Sequence, residues 1–176
     1  MNRVKLDAVF IDRDGTLGAS EDVVYPDTFV PFNYVKDCFS RLKQAGIKVF
    51  IFSNQSCIAR KKDKGYDFSA EFTGYGADDW FICPHDDGDG CDCRKPGTGL
   101  LIEARDKYGL DLSRCAVIGD RWSDMLPGGK LNMRLIPVLT GRGERAVGAD
   151  RGKWAEYEPD YVAADFKAAV EWIVSI

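Results

Sequence analysis

The sequence predicts an α/β fold, a parallel sheet covered by helices on both faces, and three observations lead there. Short β-branched or aromatic runs recur along the chain, and amphipathic stretches at helical spacing separate them. Three of the runs also stop at a polar residue: Asp12, Ser53 and Asp120. Strands alternating with helices imply parallel pairing, with the crossover helices packed on the sheet. Ligands of open parallel sheets bind at the carboxyl ends of the strands. Polar punctuation at one strand end is common, whereas at three it implies a shared crevice.

The elements follow in chain order. Ala8-Val9-Phe10-Ile11 reads as a buried strand, and residues 33–45 place Tyr34, Val35, Cys38, Phe39, Leu42 and Ala45 at helical spacing before Gly46 ends the helix. Ile47 to Phe52 form a second strand. A weaker helix is predicted over 67–79, interrupted by Gly74 and Gly76, and Trp80-Phe81-Ile82 is a short strand. Residues 97–108 form a helix with Leu100, Leu101, Ala104 and Tyr108 on one face. Cys115 to Ile118 and Arg134 to Leu139 are strands, and Pro137 assigns the latter to an edge or marks its end. Asp165 caps a last helix carrying Phe166, Ala169, Val170 and Ile173. Trp154, Tyr157 and Tyr161 are expected to cover the sheet edge. No repeat or linker interrupts the pattern, so residues 1–176 are expected to form one domain.

The chain has 176 residues and a net charge of −4. A chain of this length buries roughly 70% of its unfolded surface, enough for a core without disulfide staples. No apolar run approaches the roughly 20 residues that span a bilayer. The start, Met1-Asn2-Arg3-Val4-Lys5-Leu6-Asp7, has no apolar stretch behind its basic residues, so no leader is read there and a cytoplasmic protein is expected. Mild acidity argues against a nucleic-acid-binding face. The short basic run from Arg60 to Lys64 reads as a solvated loop, and a monomer is expected. The single histidine, His85, limits any histidine-based catalysis to that residue.

Asp12-Arg13-Asp14-Gly15-Thr16 is the most informative segment. One carboxylate can attack phosphorus and the other can shuttle a proton, an aspartyl-phosphate route. Gly15 permits a sharp turn expected to bring backbone N–H groups toward an anion. A carboxylate that attacks phosphate needs a divalent cation, and Gly119-Asp120-Arg121-Trp122-Ser123-Asp124 can supply its ligands.

Asp12-x-Asp14-Gly15-Thr16 after a strand, Ser53 after a strand, Lys95-Pro96 before a helix, and Gly119-Asp120 with Asp124 together resemble the haloacid-dehalogenase-like (HAD) phosphatases. The four motifs stand in the family's order and span residues 5 to 125. The resemblance implies a three-layer Rossmann-like sheet. It makes Asp12 the nucleophile and Asp14 the general acid/base, and puts Ser53 and Asn54 on the phosphoryl oxygens. Lys95 would offset negative charge. Mg²⁺ would be held by Asp12, the Asp14 carbonyl and Asp120, with Asp124 in support. Thr16 and Arg60 are expected at the substrate.

Cys83-Pro84-His85 and Cys91-Asp92-Cys93 form a C-x-H-x5-C-x-C pattern. Three thiolates and an imidazole complete a tetrahedral structural Zn²⁺ site with no open position, which leaves no histidine for catalysis. Cys93 runs directly into Arg94-Lys95-Pro96, so the metal would fix the loop carrying the lysine. Arg94 is placed to meet a second anionic group of the substrate. Disulfides are not expected without a secretory context.

The zinc loop joined to Cys-Arg-Lys-Pro is similar to the HAD subgroup of the heptose-bisphosphate and histidinol-phosphate phosphatases, which have no large cap domain. Only 36 residues separate Thr16 from Ser53, and 41 separate Ser53 from Lys95, too few for such a cap. Asn54 to Arg60 resembles the heptose enzymes, as does Thr140-Gly141; the five-residue zinc linker resembles the histidinol-phosphate enzymes. Cys57 stands where a glycine is usual, the segment 61–79 is shorter, and Met125 to Gly129 lacks the usual alanine-rich helix. The resemblance implies a Mg²⁺-dependent phosphomonoesterase for a small phosphorylated metabolite. A sugar phosphate such as D-glycero-D-manno-heptose 1,7-bisphosphate leads. Histidinol-phosphate phosphatase, a 3′-end nucleic-acid phosphatase and a zinc-stabilised binding module are the alternatives.

Overall fold

The computed structural model describes residues 5–18 and 25–176; residues 1–4, on which the leader reading rests in part, lie outside the described residues. Five parallel strands form one sheet in the order β3-β2-β1-β4-β5. They are β1 (Ala8–Ile11), β2 (Lys48–Asn54), β3 (Asp79–Cys83), β4 (Cys115–Gly119) and β5 (Arg134–Pro137). The helices are α1 (Val35–Gln44), α2 (Phe68–Tyr75), α3 (Gly99–Tyr108), α4 (Trp122–Lys130), α5 (Gly143–Val147) and α6 (Phe166–Ser175).

The three layers follow from side-chain alternation. All four residues of β1 are buried because the strand is central. Val9 and Ile11 face a core shared with Phe39, Leu42, Phe72 and Phe166, so α1, α2 and α6 cover that side. Ala8 and Phe10 face the opposite core with Phe50, Phe52, Leu101 and Met125, under α3 and α4. Burying each large apolar side chain contributes about 1.5–3 kcal/mol, so the two cores carry the fold. Pro137 ends β5 at the sheet edge. Trp154 and Tyr157 pack beside that edge on one face, and Tyr161 stacks on Trp172 of α6 on the other.

The predicted helices shorten at their ends for identifiable reasons. Residues 67–79 contribute only Phe68–Tyr75, because Gly76 adopts φ 94° and closes the helix. Asp67 and Asp165 cap α2 and α6 by accepting from Ala70 N and Ala168 N. The segment from Met125 to Gly129 is helical despite lacking alanine and holding Pro127. Its glycines are required by packing: a Cβ on Gly128 would lie 2.8 Å from Leu135, and one on Gly129 would lie 2.3 Å from Tyr157. Among the described residues no large cap domain stands over the carboxyl ends of the strands.

Candidate active site

Strand order decides which chain segments meet. β1 lies between β2 and β4, so Asp12 follows the central strand, with Ser53 of β2 on one side and Asp120 behind β4 on the other. Asp12 N extends the ladder to Ile118 O at 3.0 Å. Gly15 has φ +88°, and a Cβ there would stand 2.1 Å from Asp120 Oδ2. Its backbone N–H bonds to Gly18 O, and that of Thr16 points to Arg13 O. The turn therefore serves close approach to Asp120, and the Gly15 and Thr16 amides are bonded within it.

Lys95 anchors the charges. Its Nζ donates to Asp12 Oδ1 and to Asp124 Oδ1, each at 2.7 Å, and to Phe52 O at 3.1 Å. Burial opposes the ammonium, but the Asp12 and Asp124 carboxylates prevail and raise its pKa. Asp124 completes a capping box at α4, its Oδ2 accepting from Arg121 N at 3.0 Å.

Asp12, Asp120 and Asp124 are all buried, and each offers an oxygen within 4.8 Å of the others. Desolvation first, then repulsion from Asp12 and Asp124, pushes the Asp120 carboxyl well above the usual range. Asp124 is pushed up to about 6, again chiefly by burial. Asp120 Oδ2 accepts from Arg142 N at 2.8 Å, whereas its buried Oδ1 accepts no hydrogen bond and has Arg121 Nε 4.0 Å away. An orphaned carboxylate oxygen inside an all-oxygen acidic cluster fits a hard divalent cation.

Asp14 lies at the edge of this cluster. Gln55 Nε2 donates to its Oδ2 at 2.8 Å and also to Ser53 Oγ at 2.8 Å, and Arg13 Nη1 pairs with its Oδ1 at 2.6 Å. Desolvation raises the Asp14 pKa and neighbouring Asp12 adds to it, against the lowering effect of Arg13. Sequence reasoning assigned no role to Gln55 or Arg13, although both stand inside the motifs it used.

Asn54 was expected on the phosphoryl group. In the structure its side chain clamps the lysine loop: Oδ1 accepts from Lys95 N at 3.0 Å and Nδ2 donates to Lys95 O at 3.1 Å. Thr16 is fully buried, its Oγ1 has no hydrogen-bond partner, and it does not line the crevice.

Cys83, His85, Cys91 and Cys93 bring their ligand atoms within 4.8 Å of one another. His85 Nδ1 is 3.2 Å from Cys93 Sγ, and Cys83 Sγ is 3.3 Å from Cys93 Sγ and 3.6 Å from Cys91 Sγ. Tetrahedral Zn–S bonds of about 2.3 Å imply ligand–ligand edges of about 3.8 Å, near these separations, so the cluster is compatible with zinc. Cys93 is pushed up to about 12 by desolvation and by Cys83 and Cys91. Such crowding disfavours three thiolates in the absence of a cation. The loop carrying these four residues is tied to the loop after β2: Arg60 forms a bidentate pair with Asp86 at 2.5 and 2.7 Å, and Arg94 bonds Ser56 Oγ at 2.7 Å and pairs with Asp87.

These loops enclose a crevice of about 300 Å³ lined by Asp12, Asp14, Arg60, Arg94, Lys95 and Arg142 among others. It shares Arg94, Arg121 and Arg142 with an adjoining pocket of about 500 Å³, walled by Trp122 and the zinc loop. The arrangement offers a buried carboxylate paired with a cation, a second carboxylate held by two donors, and arginines at the mouth. Positioning and charge neutralisation of this kind suit phosphoryl transfer.

Residues 92–169 match the HAD-hydrolase-like family model. The chain is 32% identical over 154 residues to D-glycero-β-D-manno-heptose-1,7-bisphosphate 7-phosphatase of Pseudomonas aeruginosa, covering 80% of this chain and 85% of that protein. It is 33% identical over 163 residues to the Escherichia coli K12 protein of the same name, again over 80% and 85%. Among solved structures it is similar to D,D-heptose 1,7-bisphosphate phosphatase of B. bronchiseptica complexed with magnesium and phosphate, with TM-score 0.82 and 26% identity. That likeness covers 97% of this chain and 99% of the other.

Proposed function

The chain belongs to the HAD-like phosphatase family, and from that premise we propose that it hydrolyses a sugar phosphate, D-glycero-D-manno-heptose 1,7-bisphosphate first among them, through an aspartyl phosphate. The observation that carries this reading is the charge arrangement around Lys95: Asp12 and Asp124 paired to one buried ammonium, beside the orphaned Asp120 oxygen.

In this reading Asp12 attacks phosphorus and Asp14 passes its proton to the leaving oxygen. Water, deprotonated by Asp14, then opens the aspartyl phosphate. Burial that raises the Asp14 pKa favours its acid role. Gln55 orients Asp14 and Ser53 together, and Lys95 offsets charge on the nucleophile and the phosphoryl group. Asp12, the Asp14 carbonyl and Asp120, with Asp124 behind them, would hold Mg²⁺, whose charge offsets the repulsion between carboxylate and phosphate. Cys83, His85, Cys91 and Cys93 would hold zinc, which fixes the loop presenting Lys95. The relatives named for heptose bisphosphate support the substrate class, and Arg94, Arg121 and Arg142 supply cationic groups for a second phosphate. Among the described residues no helix is long and apolar enough to cross a membrane, and a thiol-ligated metal suits the reducing cytoplasm, where we place the protein.

Phosphate release from a panel tests the proposal: both anomers of heptose 1,7-bisphosphate, histidinol phosphate, other sugar phosphates and a 3′-phosphorylated oligonucleotide, each with Mg²⁺. Heptose bisphosphate should exceed the rest by about a hundredfold, or about 2.7 kcal/mol of transition-state discrimination. Preference for histidinol phosphate, which the five-residue zinc linker resembles, would overturn the substrate assignment. Wild-type turnover by Asp12→Asn would overturn the mechanism.

A further inference from the structure

Arg13 stands between the two motif aspartates in sequence, yet its side chain is fully buried beneath them. Its Nε donates to Glu71 Oε1 at 2.9 Å and its Nη2 to Glu71 Oε2 at 2.9 Å, a two-pronged grip, while Nη1 reaches Asp14 Oδ1 at 2.6 Å. The guanidinium carbon lies 3.8 Å from the Phe29 ring centroid and 5.6 Å from that of Phe68. Glu71, on α2, is itself nearly buried and accepts from Tyr75 OH at 2.9 Å.

A guanidinium is planar and its donors are rigidly disposed. Fixing one edge of Arg13 on Glu71, with Phe29 against its face, leaves Nη1 one direction to point, and Asp14 lies in that direction. A buried ion pair is costly to desolvate and no more stabilising than apolar packing, so stability alone does not account for it. We propose that Glu71, acting through Arg13 and latched by Tyr75, is a positioning residue that aims Asp14 at the leaving oxygen. The inference rests on the reading of Asp14 as general acid/base and extends the site to α2.

The test compares two substrates of matched shape, p-nitrophenyl phosphate and phenyl phosphate. p-Nitrophenolate leaves readily without a proton, whereas phenolate benefits from general-acid help. Because kcat/KM reports steps up to release of the leaving group, loss of aim at Asp14 lowers it selectively for phenyl phosphate. Glu71→Gln should lower kcat/KM for phenyl phosphate about tenfold and for p-nitrophenyl phosphate less than about threefold. Asp14→Asn should show the same selectivity more strongly. Tyr75→Phe, which keeps the ion pair, should shift the ratio in the same direction by a smaller factor, and it decides the matter should Glu71→Gln fail to fold. Equal effects on both substrates in the folded variants at 71 and 75, with Asp14→Asn still selective, would overturn the inference alone. Loss of selectivity in Asp14→Asn as well would overturn the general-acid reading with it.

Discussion

Lys95 Nζ donates a 2.7 Å hydrogen bond to Asp12 Oδ1 across 83 residues of chain, and both side chains are more than nine-tenths buried. The same ammonium holds Asp124, so it balances two carboxylates that would otherwise repel each other and an incoming phosphate. Lys95→Met should lower kcat by about 10²–10³-fold, the scale of losing a preorganised charge at a reacting centre. In Mg²⁺-free buffer it should also destabilise the fold by about 3–5 kcal/mol, because two buried carboxylates lose their partner. Initial rates and denaturant unfolding measure both effects.

The acidic cluster links protons to cation binding. Asp120 and Asp124 carry raised pKa values in the fold, the latter about 6. The folded protein therefore binds more protons than the unfolded chain from the ordinary carboxyl pKa of about 4 upward. Stability of zinc-loaded, Mg²⁺-free protein should fall as pH rises from 5 to 8. Millimolar Mg²⁺ should recover it, raising Tm by about 5 °C or more at pH 8 and by less at pH 5. Thermal unfolding across that grid checks the sign; an equal Mg²⁺ effect at both pH values would contradict it.

A metal held by Cys83, His85, Cys91 and Cys93 would act at a distance from the chemistry. Cys93 lies two residues before Lys95, and Arg60 and Arg94 tie the zinc loop to the loop after β2. Cys91→Ser should bind less than one zinc per chain and lower kcat at least about tenfold while leaving the apparent Mg²⁺ affinity within about threefold. Elemental analysis with Mg²⁺-dependence of the rate separates the two metals.

The turn after β5 aims Asp120. Thr140 Oγ1 donates to Gly15 O at 2.7 Å, Arg142 N bonds Asp120 Oδ2, and a Cβ on Gly141, whose φ is +57°, would lie 2.3 Å from that oxygen. Gly141→Ala should weaken Mg²⁺ binding about tenfold or more, about 1.4 kcal/mol. Calorimetric titration with Mg²⁺ alone measures it without reliance on turnover.

The central strands were legible because β1, β2 and β4 are buried on both faces and read as unbroken apolar runs. The thiol and imidazole cluster was legible because Cys83, His85, Cys91 and Cys93 are near neighbours in the chain. Helix α4 was hidden for the opposite reason. Met125-Leu126-Pro127-Gly128-Gly129 has poor intrinsic helix propensity, and only its capping box and close packing on Val117, Leu135 and Tyr157 make it a helix.

By itself the sequence determined the five strands, the helices α1, α2, α3 and α6, the pair Asp12 and Asp14, and the thiol and imidazole set, since each depends on local spacing or periodicity. Tertiary structure alone decided that Asn54 clamps Lys95, that Gln55 bridges Ser53 and Asp14, that Glu71 grips Arg13, and that Arg142 N holds Asp120. Those partners come from strands, loops and helix α2, and a hydrogen bond among them exists only where strand order and side-chain packing bring donor and acceptor within about 3 Å.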